Sequence, residues 1–250
     1  EKYLIADGSQ ADVGNTILVA DIDSDGGSYP SRFAALNDEL FFSARGDSGS
    51  YSLWKTDGTG AELVHNVEPS RFILMNNELF FAAYDSDYGR EIWKTNGTSS
   101  GTSMVVDLFP GPSTSTYLDQ AVVHTDGYGV ERLYFVGEGG SFGSELYATD
   151  GTAAGTVMVK DFSYGSSSGV GPDCGPDGGY CGSLTMLSFG KYLLFSATDG
   201  YKASIITRRR SENAHHSFCG GYNSHGDYMT PTQGVAVNSK YDQFFAQGVF

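Results

Sequence analysis

A hairpin that returns along the chain limits what this protein can fold into. The segment 145–161 reads ELYATDGTAAGTVMVKD, and two alternating runs in it flank an Asp-Gly pair. Asp-Gly or Asn-Gly between alternating apolar residues is a strong short-range hairpin signal, because Gly accepts the positive φ the turn demands. The same pattern stands at 52–64 (SLWKTDGTGAELV) and 91–107 (EIWKTNGTSSGTSMVVD), and in worn form at 2–21 (KYLIADGSQADVGNTILVAD). A unit repeated in this way is architecture before it is anything else.

A second repeat precedes the first. Apolar doublets stand at Phe41-Phe42, Phe80-Phe81, Tyr134-Phe135, Leu194-Phe195 and Phe244-Phe245. Phe42 and Trp54, Phe81 and Trp93, and Phe135 and Tyr147 each stand twelve positions apart. A spacing held while the intervening sequence varies implies two strands joined by a connection of fixed length. Each unit then supplies four strands: 32–36, 39–44, 52–56 and 62–66 in the first; 71–75, 78–83, 91–95 and 103–107 in the second; 119–124, 131–136, 145–149 and 156–161 in the third. The fourth uses 183–188, 191–197 and 203–207, with an ill-defined last strand near 215–219.

Four-stranded units in series are the pattern of a β-propeller. The N-terminus supplies two strands (3–6 and 16–21) and the C-terminus two more (234–238 and 243–249). The expectation is an all-β, five-bladed β-propeller in one domain spanning 1–250. Its blades are 32–66, 71–107, 119–161, 183–219, and a last one made of 234–250 with 1–21. Such a shared blade closes the ring and removes free sheet edges. The composition agrees: 34 Gly, 16 Tyr and 16 Phe, with no long apolar pattern at helical spacing, favour short strands and tight turns.

The quoted motifs resemble the ELWxTDGTxxGTxxVKDI repeat of large secreted or surface proteins of bacteria and of some algae and other protists. The resemblance runs from Lys2 to about Ala203 and is cleanest in the second and third units. It fails after Thr207, where RRRSENAHHSFCGGYNSHGD replaces the expected hairpin. It implies a propeller fold and an extracellular or cell-surface location, and says little about activity.

Charge and cysteines add constraints. With 15 Lys and Arg against 30 Asp and Glu, the net charge of −15 repels phosphate backbones, which argues against nucleic acid as a partner. No apolar run is long enough for a membrane span. The chain opens on Glu1 and Lys2 and reads as a processed protein or part of a longer one. Cys174 and Cys181 bracket a Gly/Pro turn, which suits a local disulfide in an oxidising compartment. Cys219 is left over.

Several constellations invite functional readings. Asp21, Asp23 and Asp25, followed by Gly26, match the start of a calcium loop, but Arg32 stands where the bidentate Glu belongs. A solvated acidic turn is the simpler reading and calcium the alternative. No other cofactor is expected. Asn96-Gly97-Thr98 is a glycosylation sequon on an exposed hairpin, and the chain's only one. The turn residues Asp7, Asp57, Asn96 and Asp150 are expected to cap their own backbone amides. Gly46-Asp47-Ser48-Gly49 looks like a protease nucleophile segment without a partner His. His215, His216, Cys219 and His225 fit no metal-site spacing. Trp54, Trp93 and Tyr147 are expected to face between sheets. Arg208, Arg209 and Arg210, with Cys219, form a basic, irregular segment suited to meeting carboxylates of another chain.

Repetition without a catalytic constellation gives the leading expectation: a non-enzymatic, secreted structural or adhesive module of a surface layer or filament, whose partners are other protein chains. The alternative is a lectin with sugar sites between blades, and the third reading is a glycoside hydrolase.

Overall fold

The computed structural model describes residues 4–6, 16–112, 116–126, 129–138, 142–163, 166, 168–170, 186–198, 203–208, 215–218, 238–239 and 242–243. Every regular element among them is a strand. The first complete sheet is an antiparallel meander of β3 (Ser31–Leu36), β4 (Glu39–Arg45), β5 (Tyr51–Thr56) and β6 (Glu62–His65). The second comprises β7 (Ile73–Met75), β8 (Glu78–Asp85), β9 (Gly89–Thr95) and β10 (Ser103–Val106). The third is built from β11 (Thr116–Thr125), β12 (Glu131–Glu138), β13 (Ser144–Thr149) and β14 (Val157–Lys160), and the fourth from β15 (Met186–Phe189), β16 (Tyr192–Thr198), β17 (Ala203–Arg208) and β18 (His215–Phe218). Two short pairs, β1 (Leu4–Ala6) with β2 (Thr16–Leu18) and β19 (Asn238–Ser239) with β20 (Asp242–Gln243), form separate two-stranded sheets.

The hairpins form where local chemistry demands them. In the third sheet Asp150 Oδ1 accepts from the amide of Thr152 at 2.9 Å and from its hydroxyl at 2.7 Å. Thr149 Oγ1 accepts from Gly151 N at 3.0 Å and lies 2.7 Å from Thr156 Oγ1, while Gly151 takes φ 93°. The second sheet repeats this with Asn96, Thr98, Thr95, Thr102 and Gly97. In the first sheet Asp57 and Thr59 make the same pair of bonds, and Thr56 bridges Gly58 N and Gly60 O. These side chains cap their own turns and are spent on architecture. The β3–β4 and β7–β8 turns use Asn37-Asp38 and Asn76-Asn77, all four at positive φ, as two-residue primed turns require.

The chain divides into two compact units, Glu1–Thr114 and Ser115–Phe250. In the first, apolar residues of neighbouring sheets interdigitate: Leu36, Phe41, Leu53 and Val64 meet Leu79, Phe81, Ala83 and Trp93. In the second, Tyr134, Val136, Leu146 and Ala148 meet Leu193, Phe195 and Ala197. The doublets of the first three sheets therefore serve as strand centres, one ring facing each side of its sheet. Phe41, Phe80, Phe81 and Phe135 are wholly buried.

Buried glutamates fasten the sheets to their outgoing connections. Glu145, at the start of β13, accepts from the amides of Phe162 (3.1 Å), Ser163 (3.4 Å) and Gly169 (2.9 Å). Glu91, in the matching position of β9, accepts from Leu108 N at 3.2 Å. Both carboxylates are fully buried. Burial pushes the Glu145 carboxyl up to about 7, against the three amides, which pull it down; nearby Asp161 pushes the same way as burial.

Candidate functional site

A bulge in the first sheet opens a pocket. The β3–β4 register shifts between Ser31 and Ala34, and Arg32, inside the shift, takes φ 57°. A bulge re-aims the side chains it carries, and such irregularities gather at functional sites. Here it leaves Phe33 47 % exposed while its ring sits 5.8 Å from that of Phe42, tilted by 35°. Arg32 Nη1 anchors the bulge by donating to Pro69 O at 2.7 Å and Glu68 Oε1 at 3.2 Å.

The pocket encloses about 280 Å3. Its sheet wall is Phe33, Leu40, Phe42 and Thr56; its opposite wall is Val19, Ile22, Ser28 and Pro30, from the segment entering β3. That segment has no strand pairing of its own past Leu18, so other contacts must hold it. Arg45 N donates to Ser28 O at 2.7 Å, and the Arg45 guanidinium grips Asp23 Oδ2 through Nε (3.1 Å) and Nη2 (2.9 Å). Ser24 donates to Asp47 Oδ1 from its amide (2.8 Å) and its hydroxyl (3.0 Å). The two bonds from Ser24 hold the Asp47 carboxyl below its ordinary range, and the hydrogen bond and charge of Asp23 raise the Arg45 guanidinium. Arg45 also lies over the Tyr29 ring, 5.7 Å from its centre.

The three aspartates of the calcium reading lie apart in this arrangement. Asp23 is buried against Arg45, Asp25 donates its amide to Asp23 Oδ1 at 3.3 Å, and Asp21 is exposed. Among the described residues no three His, Cys, Asp or Glu side chains are grouped to hold a metal. Asp23 is the member of the acidic run that clamps the pocket wall. Asp47, in the protease-like tetrad, is the cap of that same clamp. Sequence reasoning singled out the aspartates but missed Phe33, Phe42 and Arg45 as parts of a site; the bulge that joins them leaves no spacing signal.

Among the other predicted site residues, Asn96 lies exposed at the tip of the second hairpin. Arg208 ends β17, its backbone paired with Leu193 and His215. Arg209, Arg210, Cys174, Cys181 and Cys219 lie outside the described residues. Trp93 is buried beside His65, 5.4 Å between ring centres, and Tyr147 stacks on Phe135 at 5.9 Å. Trp54 donates from Nε1 to Ala44 O at 3.1 Å. The repeated aromatics are thus packing residues.

No family model matches the sequence, and no curated protein matches it. Among solved structures the chain is similar to a thermostable family-43 glycoside hydrolase, with 12 % identity, 78 % of this chain and 73 % of that one covered, and a TM-score of 0.35. It is also similar to a family-43 endo-arabinanase from Bacillus licheniformis (14 % identity, 83 % and 78 % covered, TM-score 0.34). A third is an α-L-arabinofuranosidase from Clostridium thermocellum (10 %, 86 % and 80 %, 0.32). All three are glycoside hydrolases by description. The expectation of a non-enzymatic structural or adhesive module is withdrawn: the neighbours are described as enzymes, and the lack of a visible catalytic motif in the sequence is no ground for excluding one.

Proposed function

We propose that this chain is a carbohydrate-active β-propeller that takes a saccharide ring into the pocket of its first sheet. The observation that carries the reading is the bulge-exposed Phe33 ring standing over an apolar recess of about 280 Å3 with Ser28 and Thr56 in its walls. An aromatic face offers the C–H side of a sugar ring an apolar platform, and a few polar groups fix its orientation. The volume lies near the small end for ligand pockets, which suits one or two sugar units.

The fold we propose around it is a single closed, five-bladed ring. Its support is the four matching meanders; β1-β2 and β19-β20 are separate two-stranded sheets, and the proposal has them join as the fifth unit. Membership of the ELWxTDGT-type repeat family, and a secreted location, belong to the same proposal and rest on the hairpin motif.

The test is calorimetric titration with arabino- and xylo-oligosaccharides and a panel of hexose oligomers, alongside sugar release from arabinan and xylan. Saturable binding that weakens roughly tenfold in Phe33→Ala supports the reading, tenfold corresponding to about 1.4 kcal/mol. If no saccharide binds or is cleaved, the reading is wrong. Binding unaffected by Phe33→Ala removes the pocket from it.

A further inference from the structure

We propose that Asn96 is an N-glycosylation site, a covalent attachment point independent of the pocket. The three well-formed hairpins share one turn, with Asp57, Asn96 and Asp150 in the same place. Only the middle one carries an amide, and only there does Thr two residues on complete an acceptor sequence. The structure shows what that substitution does. Asn96 Oδ1 accepts from Thr98 N at 3.0 Å and from Thr98 Oγ1 at 2.8 Å, so the turn uses the oxygen alone. The nitrogen is surplus to the fold: the sibling turns form the same two bonds with a carboxylate that has no such atom.

Access is provided as well. Asn96, Thr98, Ser99 and Ser100 are all exposed, so no bulky side chain from the turn crowds the amide. Gly101 packs against the carboxamide, and an added Cβ there would collide with Oδ1, Cγ and Nδ2 alike, so the bare glycine is what leaves the amide room. The donor is a lipid-diphosphate-linked oligosaccharide. The bond from Nδ2 to the anomeric carbon forms, the bond from that carbon to the diphosphate oxygen breaks, the lipid diphosphate departs, and one Nδ2 proton passes to the transferase's base.

The siblings supply a fold-neutral control, since Asn96→Asp installs the residue that two other turns already use. The full chain is produced through the secretory pathway of a eukaryotic cell, or translated into microsomes if secretion fails. Its mass is read before and after peptide N-glycosidase in heavy-oxygen water, which separates enzymatic release from earlier Asn-Gly deamidation, and an enzyme-free incubation in the same water accounts for deamidation during the digest. Wild type should carry a glycan removed by the enzyme with heavy oxygen left at position 96; Asn96→Asp and Thr98→Ala should carry none, with Asn96→Asp keeping the wild-type melting temperature. An unmodified wild type overturns the proposal, and so does a glycan that persists in Asn96→Asp.

Discussion

Glu145 Oε1 accepts the amide of Gly169 at 2.9 Å, tying the start of β13 to a connection 24 residues further along. The same carboxylate receives Phe162 and Ser163, so one buried side chain organises the exit from the third sheet.

A pH dependence follows from that burial. The folded Glu145 carboxyl sits at about 7 against an ordinary 4.5, so between those values the folded protein binds a proton that the unfolded chain has released. Its contribution is therefore complete below pH 4.5 and is lost as pH rises through 7, an effect on the order of 3 kcal/mol. Asp47, Asp57 and Asp150, held below their ordinary range, act in the opposite sense and at lower pH. In denaturant unfolding from about pH 4.5 to 8, the stability of wild type should decline relative to that of Glu145→Gln, which lacks the titrating carboxyl.

The hairpin turn has a separable backbone cost. Gly58 adopts φ 95°, and a methyl added there would meet nothing within 4 Å, so Gly58→Ala should lose about 1–2 kcal/mol from backbone strain alone. Gly97, at φ 98°, would bring its methyl to 3.2 Å from Phe41 Cζ, so Gly97→Ala should lose more. Thermal unfolding of the two variants gives the comparison.

Core packing sets the largest single-residue effects. Phe81 is fully buried and meets Phe72 edge-on at 5.5 Å. Phe81→Ala should cost about 3–5 kcal/mol. Tyr84, three residues on and 53 % exposed, should tolerate Ala within about 0.5 kcal/mol. Denaturant midpoints of the two variants against wild type check both figures.

The pocket wall depends on its clamp. Arg45→Ala takes from the Asp23 side chain, 5 % exposed, the guanidinium that neutralises it. The variant should melt at lower temperature than wild type and lose saccharide binding beyond that loss of stability. Calcium should leave the wild-type melting temperature unchanged, measured by scanning calorimetry with and without chelator.

How much of this was legible in advance divides along the range of the interactions. The strands 39–44, 52–56 and 91–95 fall within β4, β5 and β9 as expected, because period-two alternation and the Thr-Asx-Gly-Thr turn are local chemistry. β7 begins at Ile73 rather than 71, because Ser70 and Pro69 are drawn to Ala82 and Ala83 before the regular ladder starts. The pocket needed the folded chain. Asp23 and Arg45 are 22 residues apart, and Arg32 reaches Pro69 across 37. No periodicity records such pairings. The sequence by itself determined the strands, their turns and their repetition, since each is decided within a single hairpin's length; the bulge that turns Phe33 outward, the clamp that faces it with a second wall, and the buried Glu145 were decided by tertiary structure, where burial and long-range charge pairing outweigh local preference.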